Sequence, residues 1–114
     1  MSVAKCIGWW EQNGLGRQAM EGLTIEFSEG SIRGGGVDVV GQFTISGAME
    51  LGGGVRIVKQ YTGRHHVVYI GNYDGEGTLS GTWLIDRLAG LWSIKLLHAS
   101  SGDIEFEEVS PWKD

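Results

Sequence analysis

Apolar and polar residues alternate along most of the chain with a period of two. Leu23, Ile25 and Phe27 alternate with Thr24, Glu26 and Ser28, and Phe43 and Ile45 with Gln42, Thr44 and Ser46. The rhythm returns at Val55 and Ile57 around Arg56, and at Leu79, Trp83 and Ile85 among Thr78, Ser80 and Thr82. Trp92, Ile94 and Leu96 repeat it around Ser93 and Lys95. Successive side chains of a strand point to opposite faces, so this pattern predicts half-buried antiparallel strands. No long segment carries a helical period.

Turn-forming residues separate the runs: Glu29-Gly30-Ser31, Gly52-Gly53-Gly54, Thr62-Gly63-Arg64, Asp74-Gly75-Glu76-Gly77, Arg87 to Gly90, and Ser100-Ser101-Gly102-Asp103. Eight or nine strands are expected, near 5–12, 20–28, 31–38, 41–49, 55–61, 65–73, 78–86, 91–98 and 104–109. Short connections make sequence neighbours spatial neighbours, which describes an up-and-down meander. Left flat, it would expose two edges. Closure removes them, and about eight strands suffice for a small barrel. The predicted class is therefore an all-β, antiparallel up-and-down barrel, with a β-sandwich as the alternative. Glycines inside strands (Gly34 and Gly36 beside Ile32, Gly81 between Leu79 and Trp83) fit bends at barrel corners.

Composition sharpens the picture. The chain's 114 residues fit one domain spanning 1–114, and its 20 glycines, without a three-residue period, suit many tight turns. A net charge of −5 argues against nucleic acid as a partner. No run approaches the ~20 apolar residues of a membrane helix. The start, Met-Ser-Val-Ala-Lys-Cys, has no apolar leader, and the lone Cys6 suits a reducing compartment, so cytoplasmic residence is expected.

Three short motifs, Gly8-Trp9, Gly81-Thr82-Trp83 and Gly90-Leu91-Trp92, resemble the calycin pattern. In lipocalins, avidins and their relatives a Gly-x-Trp or Gly-Thr-Trp on a strand packs a tryptophan across one end of the barrel. The length is closer to the avidin-like members. The resemblance implies an up-and-down barrel with a central cavity for a small apolar or amphipathic ligand. It implies no biotin site, because no polar set here matches that family's.

Candidate chemistry gathers at one end. The inward register of the fifth strand runs Val55, Ile57, Lys59, Tyr61, and that of the third runs Ile32, Gly34, Gly36, Asp38. Tyr69 alternates with Val67 and His65 on the sixth. Asp38, Lys59, Tyr61, His65 and Tyr69, with the inward Trp83, are thus the candidate ligand-binding residues at a barrel mouth. The plainer expectation puts the heads of Lys59 and Tyr61 in water at a strand end. An internal Lys59 would need Asp38 as its partner; otherwise Asp38 simply caps the turn before Gly41. His65 and His66 point to opposite faces of a strand and cannot share an ion, so no metal is expected. Neither a Gly-x-Ser-x-Gly elbow nor a Gly-Lys-Ser/Thr loop is present, and no cofactor is expected.

Of Trp9 and Trp10, one faces in and one out. The outward one suggests a surface covered by the C-terminal tail or by a second subunit, and with outward Val58, Leu84, Leu91 and Leu97 it suggests an apolar outer patch through which a homodimer is expected. The acidic segment Ile104 to Val109 reads as an exposed edge or tail. Three functions stay open: a non-catalytic module binding a small, partly apolar molecule; an interaction barrel with a filled core; and an isomerase- or hydrolase-type enzyme using Tyr, His and Asp at the mouth. Phe27, Phe43, Trp83 and Trp92 would fill the interior, and the inward glycines would vacate it.

Overall fold

The computed structural model describes residues 2–99. They form eight antiparallel strands: β1 (Ser2–Gln12), β2 (Gly16–Ser28), β3 (Ser31–Val37), β4 (Gln42–Met49), β5 (Gly54–Tyr61), β6 (His66–Tyr73), β7 (Thr78–Ile85) and β8 (Leu88–Ala99). Each pairs with its successor, and β8 pairs with β1, so the meander closes into a barrel. No helix long and apolar enough to cross a membrane occurs among the described residues. The segment 104–109 and Trp112 lie outside them.

The inward face follows the alternation. Ile25, Ile32, Ile57 and Leu79 are fully sealed, and Trp92 and Ile94 nearly so. Burying a side chain of this kind stabilises the barrel by about 1.5–3 kcal/mol. Of the tryptophan pair it is Trp10 that faces in, while Trp9 is half-buried outside with the Arg17 guanidinium 3.7 Å above its ring. Gly22, with φ +59°, is the extra residue where the register of β2 slips against both β1 and β3. This bulge bends the longest strand around the barrel.

Three strands start three or more residues earlier than the alternation indicates, β1 among them, at Ser2 rather than near residue 5. β2 begins at Gly16, because Arg17 to Ala19 pair with Glu11 to Trp9 near a barrel end without burying an alternating face. β8 begins at Leu88: the turn is Asp86-Arg87, with Asp86 at φ +50°, and Gly90 is a strand residue opposite Trp83.

The inward glycines do not open a void. A Cβ at Gly34, Gly47, Gly71 or Gly81 would lie about 2 Å from the carbonyl oxygen of Thr24, Arg56, Ser80 or Ile70. Each glycine marks a place where adjacent backbones approach too closely for any side chain, as a tightly coiled small barrel requires.

Candidate functional site

Lys59 sits on the inward face of β5 between Ile57 and Tyr61, opposite Ile45 on β4 and Val67 on β6. An ammonium there loses all hydration, so a partner is obligatory. Asp38, the first residue beyond β3, supplies it. Lys59 Nζ lies 2.6 Å from Asp38 Oδ2, with the two side chains 1% and 0% exposed.

Asp38 also caps its turn, using the other oxygen. Oδ1 accepts from the Val40 N–H at 2.9 Å, and the backbones of Asp38 and Gly41 exchange two hydrogen bonds of 3.1 Å. Oδ2 takes, besides Lys59, the Tyr61 hydroxyl at 2.7 Å and the Trp10 indole N–H at 3.1 Å. The pair and the cap, alternatives in the sequence, coexist because a carboxylate has two oxygens.

Lys59 spends its remaining donors on the Tyr69 hydroxyl oxygen at 3.2 Å and Met20 Sδ at 3.6 Å. Its ammonium stands 4.3 Å from the Phe43 ring centroid and 4.9 Å from that of Tyr61, with Tyr69 and Trp10 slightly farther. Electron-rich ring faces replace part of the lost hydration. Burial pushes Lys59 below the usual lysine range against the opposing pull of Asp38. Burial pushes Asp38 up, but hydrogen bonds from Lys59 and Tyr61 outweigh it and hold the carboxyl below its usual value. With that many donors on Asp38, the charged pair is the state the geometry favours.

Beside this network a cleft of about 150 Å³ opens at the barrel mouth. Trp10, Tyr61, Tyr69, Trp83, Val67 and Ile85 wall it, joined by Val40, Gln12, His65 and Leu88. Trp10 and Trp83 meet edge to face, 6.1 Å apart at 87°. Trp83 is fixed further by an indole N–H bond to the Glu11 carbonyl at 3.0 Å. That carbonyl lies 2.1 Å from where a Cβ on Gly90 would be, so only glycine on β8 lets the indole cross to β1. Trp92 repeats the device: it pairs with Gly81 in register and donates to the Ile70 carbonyl at 3.3 Å, the oxygen a Gly81 Cβ would strike.

The six sequence candidates therefore divide. Tyr61, His65, Tyr69 and Trp83 line the cleft; Asp38 and Lys59 do not, but bond to three residues that do. Lys59 and Tyr61 are buried, so their heads are not in water. His65 precedes β6 in the turn after Tyr61, exposed, with its ring 5.1 Å from that of Tyr61. The wall residues Trp10, Gln12, Val40, Val67, Ile85 and Leu88 were not among the sequence candidates, and alternation left open which of Trp9 and Trp10 faces in.

No group of three or more His, Cys, Asp or Glu residues able to hold a metal occurs among the described residues. Cys6 is buried, and burial pushes its thiol up to about 12, which leaves it a packed side chain rather than a nucleophile. Comparison with protein-family models, curated proteins and solved structures finds no match.

Proposed function

We propose that this barrel is a non-catalytic binding module that holds one small, partly apolar molecule in the mouth cleft. The observation that carries the proposal is the cleft itself: a concave site walled by aromatic and aliphatic side chains, with a few polar groups at its edge. Its modest volume limits the occupant to about one ring. The calycin kinship and cytoplasmic residence belong to the same proposal. The closed eight-stranded meander and the glycine–tryptophan pairs support the first, and a lone buried cysteine the second.

Native mass spectrometry of freshly purified protein tests the proposal by seeking a copurified small molecule. Titration with toluene and related one-ring compounds tests it directly, because Trp10 and Trp83 report occupancy by fluorescence. A bare protein whose tryptophans respond to no compound of this size ends the proposal. The catalytic alternative ranks lower because four donors already hold the Asp38 carboxylate, whose side chain is closed to solvent.

A second proposal rests on the outer face. Val58, Val68, Leu84 and Ala89 stand opposite one another in one row across β5 to β8, and Leu91 and Leu97 are half-exposed on β8. A second copy of this chain is the proposed occupant, making a homodimer. A clean monomer in sedimentation equilibrium at high concentration removes it.

A further inference from the structure

Tyr69 is 3% exposed, yet only half of its hydroxyl is used. The oxygen accepts from Lys59 Nζ at 3.2 Å, but no acceptor for the hydroxyl proton is present among the described residues. Tyr61, the other wall tyrosine, differs in this respect, because its proton goes to Asp38 Oδ2 at 2.7 Å. A buried donor without a partner loses its hydration for nothing unless something else supplies an acceptor. Tyr69 lines the cleft.

We propose that the cleft is built for a neutral one-ring aromatic carbonyl compound, such as an aryl ketone, whose oxygen accepts the Tyr69 hydroxyl proton. This deepens the binding function proposed above and rests on it. Three observations select the class. The volume, about 150 Å³, is on the scale of cavities that take up benzene. Trp10, Trp83, Tyr61 and Tyr69 give the cleft four aromatic wall residues, which favours an aromatic occupant over an aliphatic one of equal size. Among the described residues, the charged side chains bonded to these walls, Asp38 and Lys59, already pair with each other, so an anionic ligand would be desolvated with no free counter-charge there. Lys59 also polarises the hydroxyl it donates to, which strengthens Tyr69 as a donor toward the ligand.

The test compares acetophenone with α-methylstyrene, in which a methylene replaces the carbonyl oxygen at nearly the same shape, and with benzoate. Calorimetric or tryptophan-fluorescence titration of the full chain should show acetophenone binding roughly tenfold tighter than α-methylstyrene, with benzoate weakest. In Tyr69→Phe the two neutral ligands should bind equally, and continued α-methylstyrene binding certifies that the variant's cleft is intact. Should Tyr69→Phe not fold, the wild-type ratio decides alone, aided by the carbonyl stretch of bound acetophenone, which must fall to lower frequency on accepting the bond. Equal wild-type affinities, or benzoate as the tightest ligand, overturn the carbonyl assignment and leave the apolar binding module standing. Failure of all three compounds to bind overturns both.

Discussion

Lys59 and Asp38 form a salt bridge of 2.6 Å at one end of the barrel interior, with both side chains closed to solvent. The bridge joins the C-terminal part of β5 to the turn between β3 and β4, and through Tyr61, Trp10 and Tyr69 it reaches β1 and β6. Removing one partner strands a buried charge, whereas removing both does not. Lys59→Met should lower stability by about 3–5 kcal/mol in urea unfolding. The double variant Lys59→Met/Asp38→Asn, which keeps an oxygen for the Val40 cap, should recover at least half of that loss. Simple addition of the two single losses would show that the residues are not coupled.

The pair also sets the acid limb of stability. Asp38 has its carboxyl held below the usual value in the native barrel, so the unfolded chain binds the proton first. Stability therefore rises with pH across that window and is lost as pH falls from the ordinary carboxylate value through the native one. In Lys59→Met, burial acts without its main counterweight and the native pKa moves above the ordinary value. The sign then reverses: the contribution is full at low pH and disappears as pH rises through the raised value. Urea midpoints at about pH 3 and about pH 7 check this, and parallel profiles for the two proteins would contradict it.

Gly81 offers a steric test. A Cβ there would stand 2.0 Å from the Ile70 carbonyl oxygen and 2.5 Å from Gly71 Cα, backbone atoms that move only if the β6–β7 pairing opens. Gly81→Ala should cost about 3 kcal/mol or more. Gly14, at φ +84° in open space, is the control, and Gly14→Asn should stay within about 1 kcal/mol because asparagine tolerates that conformation. Equal effects would mean that glycine conformation, rather than strand approach, governs both sites.

The three tyrosines should ionise late. Burial raises Tyr61, Tyr69 and Tyr73, and the Asp38 charge adds to the first two. A spectrophotometric titration should show at most the Tyr73 phenolate before the fold opens, with Tyr61 and Tyr69 rising together at alkaline unfolding rather than near the ordinary value of about 10. An ordinary, reversible titration of Tyr61 or Tyr69 in folded protein would place its hydroxyl in water, and the cleft with it.

Much of this was legible from parity alone. Val55 and Ile57 carry Lys59 and Tyr61 inward on the same register, and Ile32 points the way to Asp38, because a strand side chain two residues on always returns to the same face. The errors share a cause too. Gly90 and the inward glycines look like turn residues or empty space in a linear chain, since the group that each makes room for comes from another strand: the Trp83 indole and Glu11 carbonyl at Gly90, the Ile70 carbonyl at Gly81. His65 continues the sixth strand's alternation by one residue, but the turn bonded from Tyr61 N–H to its carbonyl takes it out of the ladder.

What the sequence by itself determined is which side chains face a common interior and that short turns join the strands as a meander. That information is local, carried by alternation and by turn residues. That the meander closes as a barrel rather than folding as a sandwich took the tertiary structure. Whether Asp38 reaches Lys59 or merely caps its turn, which tryptophan of the pair turns in, and whether the interior is solid or notched were decided only by tertiary structure. They depend on the register of eight strands, on the bulge at Gly22 and on how closely backbones approach at glycine. A shift of one residue would send every one of those side chains to the opposite face.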